Sequence, residues 1–281
     1  MVFMRHTGFV LLLVLVSDLS NGQTQTDNDK VKTEFKISAN YNTGLNYFGR
    51  VDSLRSSGFF PLAELWFNES FYINAAPVFV NNAVESFQYS GMTTSAGYLF
   101  NSRNKWLGNI YVVKPFYIES SDLVQSTLKA QTGMTLTWLN KIMNVTGGGD
   151  LKFSDKTDYG VTAGLDHIIR CQLNDKTVLV IDPSAYINAG TQQFTRSYLK
   201  KTTGFLFFPG SEQLVTESAQ KFNILSYEFS APVILAVNKF QLLFTPAYVI
   251  PQNLLTVEGR PDLSEKGEKM FYATFGAKMS F

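Results

Sequence analysis

The stretch Phe271-Tyr-Ala-Thr-Phe-Gly-Ala-Lys-Met-Ser-Phe281, the last of the 281-residue chain, shows the pattern that decides the fold. Its odd positions hold Phe, Ala and Met, whereas its even positions hold Tyr, Thr, Gly, Lys and Ser. Alternation with a period of two puts the apolar side chains on one face, so the stretch is predicted to be a β-strand. In a membrane barrel such a strand turns its apolar face to lipid and its polar face to a wet interior.

Short asparagine turns recur along the chain and allow the strands to be counted. The first four lie 36, 36 and 34 residues apart, and the last gap of 64 residues contains a polar and aromatic insert at 192–221. Each interval holds two spanning strands of about 9–11 residues. The sequence therefore predicts an all-β fold, an antiparallel up-and-down transmembrane β-barrel of about twelve strands with both termini periplasmic. The five turns are Asn68-Glu69, Asn104-Lys105, Asn140-Lys141, Asn174-Asp175-Lys176 and Asn238-Lys239.

The three tryptophans, Trp66, Trp106 and Trp138, each lie two residues from one of these turns. Aromatic residues at one end of the strands are typical of an interfacial girdle. The alternative is that they fill the core of a soluble β-sandwich. On the barrel interpretation, longer outer loops are expected at 42–57, 80–86, 117–123, 154–158, 192–221 and 251–268.

The beginning of the chain reads as a secretory signal followed by a polar lead-in. Residues 1–22 combine Arg5 with a short apolar core and small residues at 20–22, and residues 23–32 are polar and unpatterned. The apolar core is shorter than the roughly 20 residues of a transmembrane helix, and no later stretch of that length lacks a charge. Only a closed barrel at 33–281 would then satisfy the backbone in lipid, which predicts a lipid bilayer as partner and the cell outer membrane as location.

Charged residues at inward positions of the predicted strands are candidates for lining the lumen. Two interpretations remain open: a passive pore or channel for small hydrophilic solutes, or a non-conducting structural or partner-binding barrel whose charges pair and fill the lumen. Barrels of eight strands are filled, whereas those of 16–18 strands leave a channel, and about twelve strands is intermediate. The eight candidates are Lys36, Glu64, Lys129, Asp150, Asp166, Asp182, Glu228 and Lys278.

Two outer loops are further candidates. Arg50 and Asp52 lie in a compact turn after the first strand, and Phe205, Phe207 and Phe208 lie in the insert before Gly210. Bulky apolar side chains in a loop are costly in water. They are expected to extend the strands above the membrane and pack on one another, or else to fold inward, touch a partner or enter the lipid head groups.

Composition excludes several functional classes. A net charge of +1 argues against nucleic acid as a partner. The only histidines are His6, in the predicted signal, and His167, which has no Ser nearby in its strand; an embedded hydrolase is therefore the least favoured function. With Cys171 as the single cysteine, neither a metal site nor a cofactor is expected, and no catalytic residue is assigned.

The final strand with its terminal Phe281 resembles the C-terminal strand of bacterial outer-membrane β-barrel proteins, in which that strand is the signal read by the insertion machinery. The signal peptide, the Asn-Lys turns and the stretches at 47–53, 190–192 and 244–253 are similar to uncharacterised barrels of Bacteroidota. This resemblance implies a fold, a location and the insertion machinery as partner. It brings no substrate and no catalytic residue.

Overall fold

The computed structural model describes residues 33–51, 54–102, 105–117, 128–154, 157–201, 212–254, 264 and 266–281. The predicted signal peptide, the lead-in, Asp52, Phe205, Phe207 and Phe208 lie outside these residues. The described residues form fifteen strand segments: β1 Thr33–Asn42, β2 Ser57–Phe67, β3 Phe71–Asn81, β4 Gln88–Ser102, β5 Trp106–Tyr117, β6 Ala130–Trp138, β7 Asn144–Phe153, β8 Thr157–Asp166, β9 Ile169–Asn174, β10 Thr177–Ile181, β11 Ser184–Lys201, β12 Glu212–Ser230, β13 Val233–Val237, β14 Phe240–Pro251 and β15 Met270–Ser280.

Twelve of these strands form a closed antiparallel wall in the order β1 to β8, then β11, β12, β14 and β15. β15 closes the barrel against β1, with Ser38 opposite Lys278 and Lys36 opposite Ser280. The prediction that the last strand pairs with the strand at 33–41 is therefore confirmed. We call the end of the barrel where β1 begins and β15 finishes the turn end, and the opposite end the loop end.

β9, β10 and β13 continue the strands β8, β11 and β12 toward the turn end and form a small sheet beside β14. The hydrogen bonding between these neighbouring strands is interrupted at one height along the barrel. The interruption lies between Asp166 and Ile169 after β8, at Pro183 before β11 and at Pro232 after β12. Proline has no N–H to donate, so it breaks a ladder where it enters one. Carbonyl groups bridge the interruption, because the N–H of His167 donates to the oxygen of Pro183 and that of Asp182 to the oxygen of Pro232.

Large apolar side chains cover the outer face of the wall. They occupy the outward positions of the alternating strands and are well exposed, as illustrated by Phe35, Ile37, Ile110, Val112, Met134, Val161, Leu242, Phe244, Phe275 and Met279. No helix among the described residues is long and apolar enough to cross a membrane. A closed barrel satisfies all its backbone groups internally, and an apolar outer face suits lipid. The molecule is an outer-membrane β-barrel.

The tryptophan prediction is correct for two residues and wrong for the third. Trp106 and Trp138 are opposite each other on β5 and β6, face outward and are 43% exposed. Trp66 is only 2% exposed and faces the lumen. It shares the parity of Glu64 on β2, and side-chain alternation therefore sends both inward. Closeness to a turn predicted the height of Trp66 in the barrel but not its face.

The described turns and loops match the prediction except at the insert. Asn68 and Asn238 adopt φ values of 55° and 52°, the left-handed conformation that tight turns need. The expected loop at 192–221 is instead mostly strand, because β11 and β12 pair continuously to Lys201 opposite Glu212. Extending an existing hairpin satisfies the backbone of both arms, which a free loop of this length would not do.

Candidate functional site in the barrel lumen

The inner wall of the barrel is predominantly polar. β1 directs Ser38, Asn40 and Asn42 inward, and all three are buried. Asn40 donates to Ser38 Oγ at 3.1 Å, and Asn42 donates to Thr274 Oγ1 of β15 at 3.3 Å. Other buried polar groups on inward positions are Asn109, Gln131, Thr135, Thr137, Thr146, Asn188, Ser226 and Thr245. Burial of a polar group costs free energy unless it is hydrogen-bonded, so this wall requires internal partners or water.

Three of the predicted lumen residues meet at the closing seam. Glu64 Oε1 lies 2.7 Å from Lys278 Nζ, and Glu64 Oε2 accepts a hydrogen bond of 3.1 Å from the indole N–H of Trp66. Lys36 Nζ lies 3.1 Å from Glu34 Oε2 and 4.6 Å from the centre of the Trp66 ring. We call Lys36, Glu64, Trp66 and Lys278 the seam cluster. In this cluster Lys278 is paired with Glu64, whereas Lys36 is paired with Glu34 and lies over the Trp66 ring.

Three further acidic candidates lie at one level on adjoining strands: Asp166 of β8 is opposite Ser184, Glu228 of β12 is opposite Tyr186, and Asp182 lies just before β11. Asp166 Oδ2 accepts a hydrogen bond of 2.7 Å from Asn144, and Glu228 Oε1 accepts one of 3.0 Å from the hydroxyl of Tyr272. Asp182 lies at the interruption between β10 and β11, and its Oδ1 is buried without a hydrogen-bond partner. These carboxylates therefore share one region of the inner wall around β11. Within the described ranges, no three His, Cys, Asp or Glu residues are grouped as a metal ion would need.

Asp150 lies near the loop end and pairs with a lysine that the sequence reasoning missed. Lys152 Nζ is 2.5 Å from Asp150 Oδ2, and Lys152 is only 3% exposed. Both residues have the same parity on β7, so the alternation that assigned Asp150 could also have assigned Lys152. Lys129 precedes β6 at the loop end and is exposed, so it lies at the rim rather than in the buried part of the lumen.

The loop after β1 enters the lumen and reaches the far wall. The Tyr47 ring centre lies 6.0 Å from Lys152 Nζ on β7. β1 and β7 are diametrically opposed, since five strands of the wall separate them in each direction. Leu45, Tyr47 and Val51 are all buried, and Leu45 packs against Phe60 and Val80. We call residues 43–51 and 54–56 the crossing loop.

A tight turn shapes the middle of the crossing loop. Tyr47 and Arg50 exchange both backbone hydrogen bonds, at 2.9 and 3.0 Å, around Phe48 and Gly49. Phe48 and Gly49 have φ values of 53° and 76°, the pair of positive values that a two-residue hairpin turn needs. The turn is joined to the segment before β15, because the Glu268 N–H donates to Gly49 O and the Val51 N–H to Lys266 O.

Arg50, one of the predicted loop candidates, fastens this turn to the barrel wall. Its guanidinium Nη1 donates to Leu225 O on β12 at 3.1 Å and to Phe48 O at 3.2 Å, and its Nη2 donates to Gln252 O at 3.1 Å. Arg50 is 5% exposed. A buried guanidinium offers five N–H donors in a fixed planar arrangement, which suits several carbonyl acceptors at once.

No protein-family model and no curated protein matches the chain. Solved structures of bacterial outer-membrane barrels resemble the fold at low identity. An outer membrane channel from Pseudomonas putida F1 is 10% identical, with 92% of this chain and 100% of that chain covered and a TM-score of 0.47. LpxR from Salmonella typhimurium is 8% identical over 88% of this chain and 99% of that chain, with a TM-score of 0.42. The β domain of the Bordetella autotransporter BrkA is 8% identical over 90% and 100%, with a TM-score of 0.38.

Proposed function

We propose that this outer-membrane barrel is a narrow channel for small hydrophilic solutes. The polar inner wall carries the proposal. It extends from Lys36 and Ser38 near the turn end to Gln131 and Lys152 near the loop end. Hydrogen-bonding side chains along the whole wall replace part of the hydration shell of a polar solute as it passes.

The charges of the lumen are only partly paired. Lys278 pairs with Glu64, Lys36 with Glu34, and Lys152 with Asp150. Among the described residues, Asp166, Asp182 and Glu228 form no ion pair with a lysine or arginine, so the inner wall carries an excess of acidic groups around β11. The proposed solutes are therefore small and polar, and the acidic groups favour cations over anions.

The second candidate function is a non-conducting structural or partner-binding barrel. Its support is the burial of the lumen side chains, since Asn40 is 2% exposed and Ser226 is fully buried. The crossing loop adds to this closure. An embedded hydrolase has the least support, because His167 is exposed at the interruption after β8. We also propose that the chain is related to barrels of Bacteroidota and that both of its termini are periplasmic. The insertion machinery is proposed to recognise Phe281.

Conductance in planar lipid bilayers tests the channel directly. Purified, refolded protein is expected to insert and give discrete steps in symmetric potassium chloride, with a reversal potential in a salt gradient that is shifted toward the value for potassium. The faster gel mobility of unboiled protein verifies that the inserted material is folded. Folded protein that produces no step, including variants in which the crossing loop is released, would establish the non-conducting barrel instead.

A further inference from the structure

We infer that Arg50 is a latch that holds the crossing loop across the lumen, so that the described structure is the closed state of the channel. The inference rests on the proposed channel function and adds its regulation. The loop spans from β1 to the diametrically opposite β7, as the contact of Tyr47 with Lys152 shows. A segment that crosses the lumen narrows the path of a solute between the two ends of the barrel.

Arg50 attaches the crossing loop to the wall at β12 and β14, which are separated from β1 by two strands and by one strand. Arg50 reaches the carbonyl oxygens of Leu225 and Gln252, which lie on the neighbouring strands β12 and β14 or directly after them. Both acceptors are backbone groups, so they belong to the rigid wall and keep their place when the loop moves. Hydrogen bonds from a charged donor are stronger than neutral ones, which makes the guanidinium the main single attachment.

The remaining contacts permit release of the loop. Leu45 anchors the near side against Phe60 and Val80, next to the strand from which the loop emerges. Toward the opposite wall, Tyr47 faces Lys152, and the turn joins the segment 266–268 before β15 through backbone hydrogen bonds. Neutral hydrogen bonds such as these contribute less to the closed position than the charged hydrogen bonds of Arg50, and water replaces them once Arg50 is released. The turn of the crossing loop can therefore move away from the wall, while Leu45 keeps the beginning of the loop in place.

The chain contains a matched control for the latch. Arg55 belongs to the same loop and carries the same charge, and its guanidinium lies 3.0 Å from Glu268. Its side chain is 72% exposed, so this ion pair is solvated and contributes little to holding the loop. Substitution of Arg50 and of Arg55 thus removes one positive charge from the same loop, but only the first substitution removes the attachment to β12 and β14.

The test compares the conductance of wild type, Arg50→Ala and Arg55→Ala in planar bilayers. Arg50→Ala is expected to raise the ratio of open to closed time by at least about tenfold, since each hydrogen bond from the guanidinium contributes to the closed state alone. Arg55→Ala is expected to conduct like wild type. Hydrogen exchange supplies a readout that does not depend on conduction, and the amides of Val51 and Glu268 should exchange at least about tenfold faster in Arg50→Ala.

A double-cysteine variant with a reversible disulfide distinguishes release of the crossing loop from a folding defect. Arg50 and Gly267 form an isolated antiparallel bridge, so their Cα atoms lie within disulfide range. Arg50→Cys with Gly267→Cys, made in Cys171→Ser protein, removes the latch when reduced and replaces it with a covalent bond when oxidised. Reduction should open the channel and oxidation should close it in the same inserted molecules.

Two results would overturn the latch, and they differ in what they say about the channel. If wild type and Arg50→Ala conduct alike and their Val51 amides exchange alike, Arg50 does not hold the loop and the channel proposal stands. If exchange is faster in Arg50→Ala but no variant conducts, in either redox state, the loop is released without opening a path, and both the gate and the channel are wrong.

Discussion

Glu64 illustrates at the residue scale how this lumen accommodates buried charge. Its two carboxylate oxygens have separate partners, the ammonium group of Lys278 and the indole N–H of Trp66. Trp66 in turn stacks on Tyr72 with ring centres 4.9 Å apart and offers its face to Lys36. One carboxylate therefore orients an aromatic ring and neutralises a cation at the seam where the barrel closes. Loss of the carboxylate would leave Lys278 without its counter-ion, whereas Lys36 keeps its pair with Glu34.

Glu64→Gln is expected to lower the free energy of unfolding by about 3 kcal/mol, because it leaves a poorly solvated lysine without its counter-ion. Lys278→Met should cost a similar amount, and the double substitution should cost clearly less than the sum of both, since it removes the pair together. Urea unfolding in lipid vesicles measures the free energy of unfolding of the wild type, the two single variants and the double variant. Additive costs would show that the two groups do not interact, despite their separation of 2.7 Å.

At the element scale, tyrosines packed over glycines join neighbouring strands inside the barrel. A Cβ built on Gly97 of β4 would lie 2.4 Å from the ring of Tyr72 on β3, and one on Gly133 of β6 would lie 2.5 Å from the hydroxyl of Tyr111 on β5. The flat rings occupy the space that a side chain would need. Strands bearing these glycines thus bury large aromatic groups without widening the wall.

Gly97→Ala should destabilise the barrel by about 1–3 kcal/mol, because the added methyl group overlaps the ring of Tyr72, which is 1% exposed and held against Trp66 and Leu99. Gly147→Ala on β7 is the matched control, since a Cβ there meets no atom within 4 Å. The control should leave the unfolding midpoint in urea unchanged or slightly higher. Equal effects of the two substitutions would contradict the packing of Tyr72 over Gly97.

At the scale of the whole molecule, closure depends on one pairing between the two ends of the chain. β1 and β15 contribute seven residue pairs to the seam, and the Phe281 N–H donates to Phe35 O beyond the last of them. Without this seam both strands would present free edges to lipid, where unpaired backbone groups are costly. The crossing loop leaves the wall directly after β1, and therefore its position also depends on the seam.

A disulfide across the seam should form without distortion and stabilise the barrel. Ala39 and Ala277 are opposite each other on the outer face, and direct antiparallel partners lie within disulfide range. In Cys171→Ser protein, oxidised Ala39→Cys with Ala277→Cys is expected to gain on the order of 4 kcal/mol, because the bridge closes nearly the whole barrel into a ring.

The control for this bridge is Ile37→Cys with Ala277→Cys, a diagonal pair roughly 7–8 Å apart, which should cross-link poorly. Gel mobility after boiling, with and without reductant, distinguishes the cross-linked chain from the linear one. Equal cross-linking of both pairs would mean that the register of β1 against β15 is wrong.

The sequence by itself determined the features that repeat locally. Alternation with a period of two identified the faces of β1, β6 and β15, because successive side chains of a strand necessarily point to opposite sides. The spacing of the asparagine turns determined the strand number, and the resulting parity placed Lys36 and Lys278 inside at the seam. Applied consistently, the same parity would also have placed Trp66 and Lys152 in the lumen.

Only the tertiary structure decided what occupies the lumen. The carbonyl partners of Arg50 are 175 and 202 residues away in the chain, and Tyr47 meets Lys152 on the opposite wall. Local patterns do not specify such contacts, because they arise only once the barrel has closed and brought distant strands around one axis. The alternation of β1 therefore predicted a polar interior, whereas the closed wall determined that the loop following β1 crosses it.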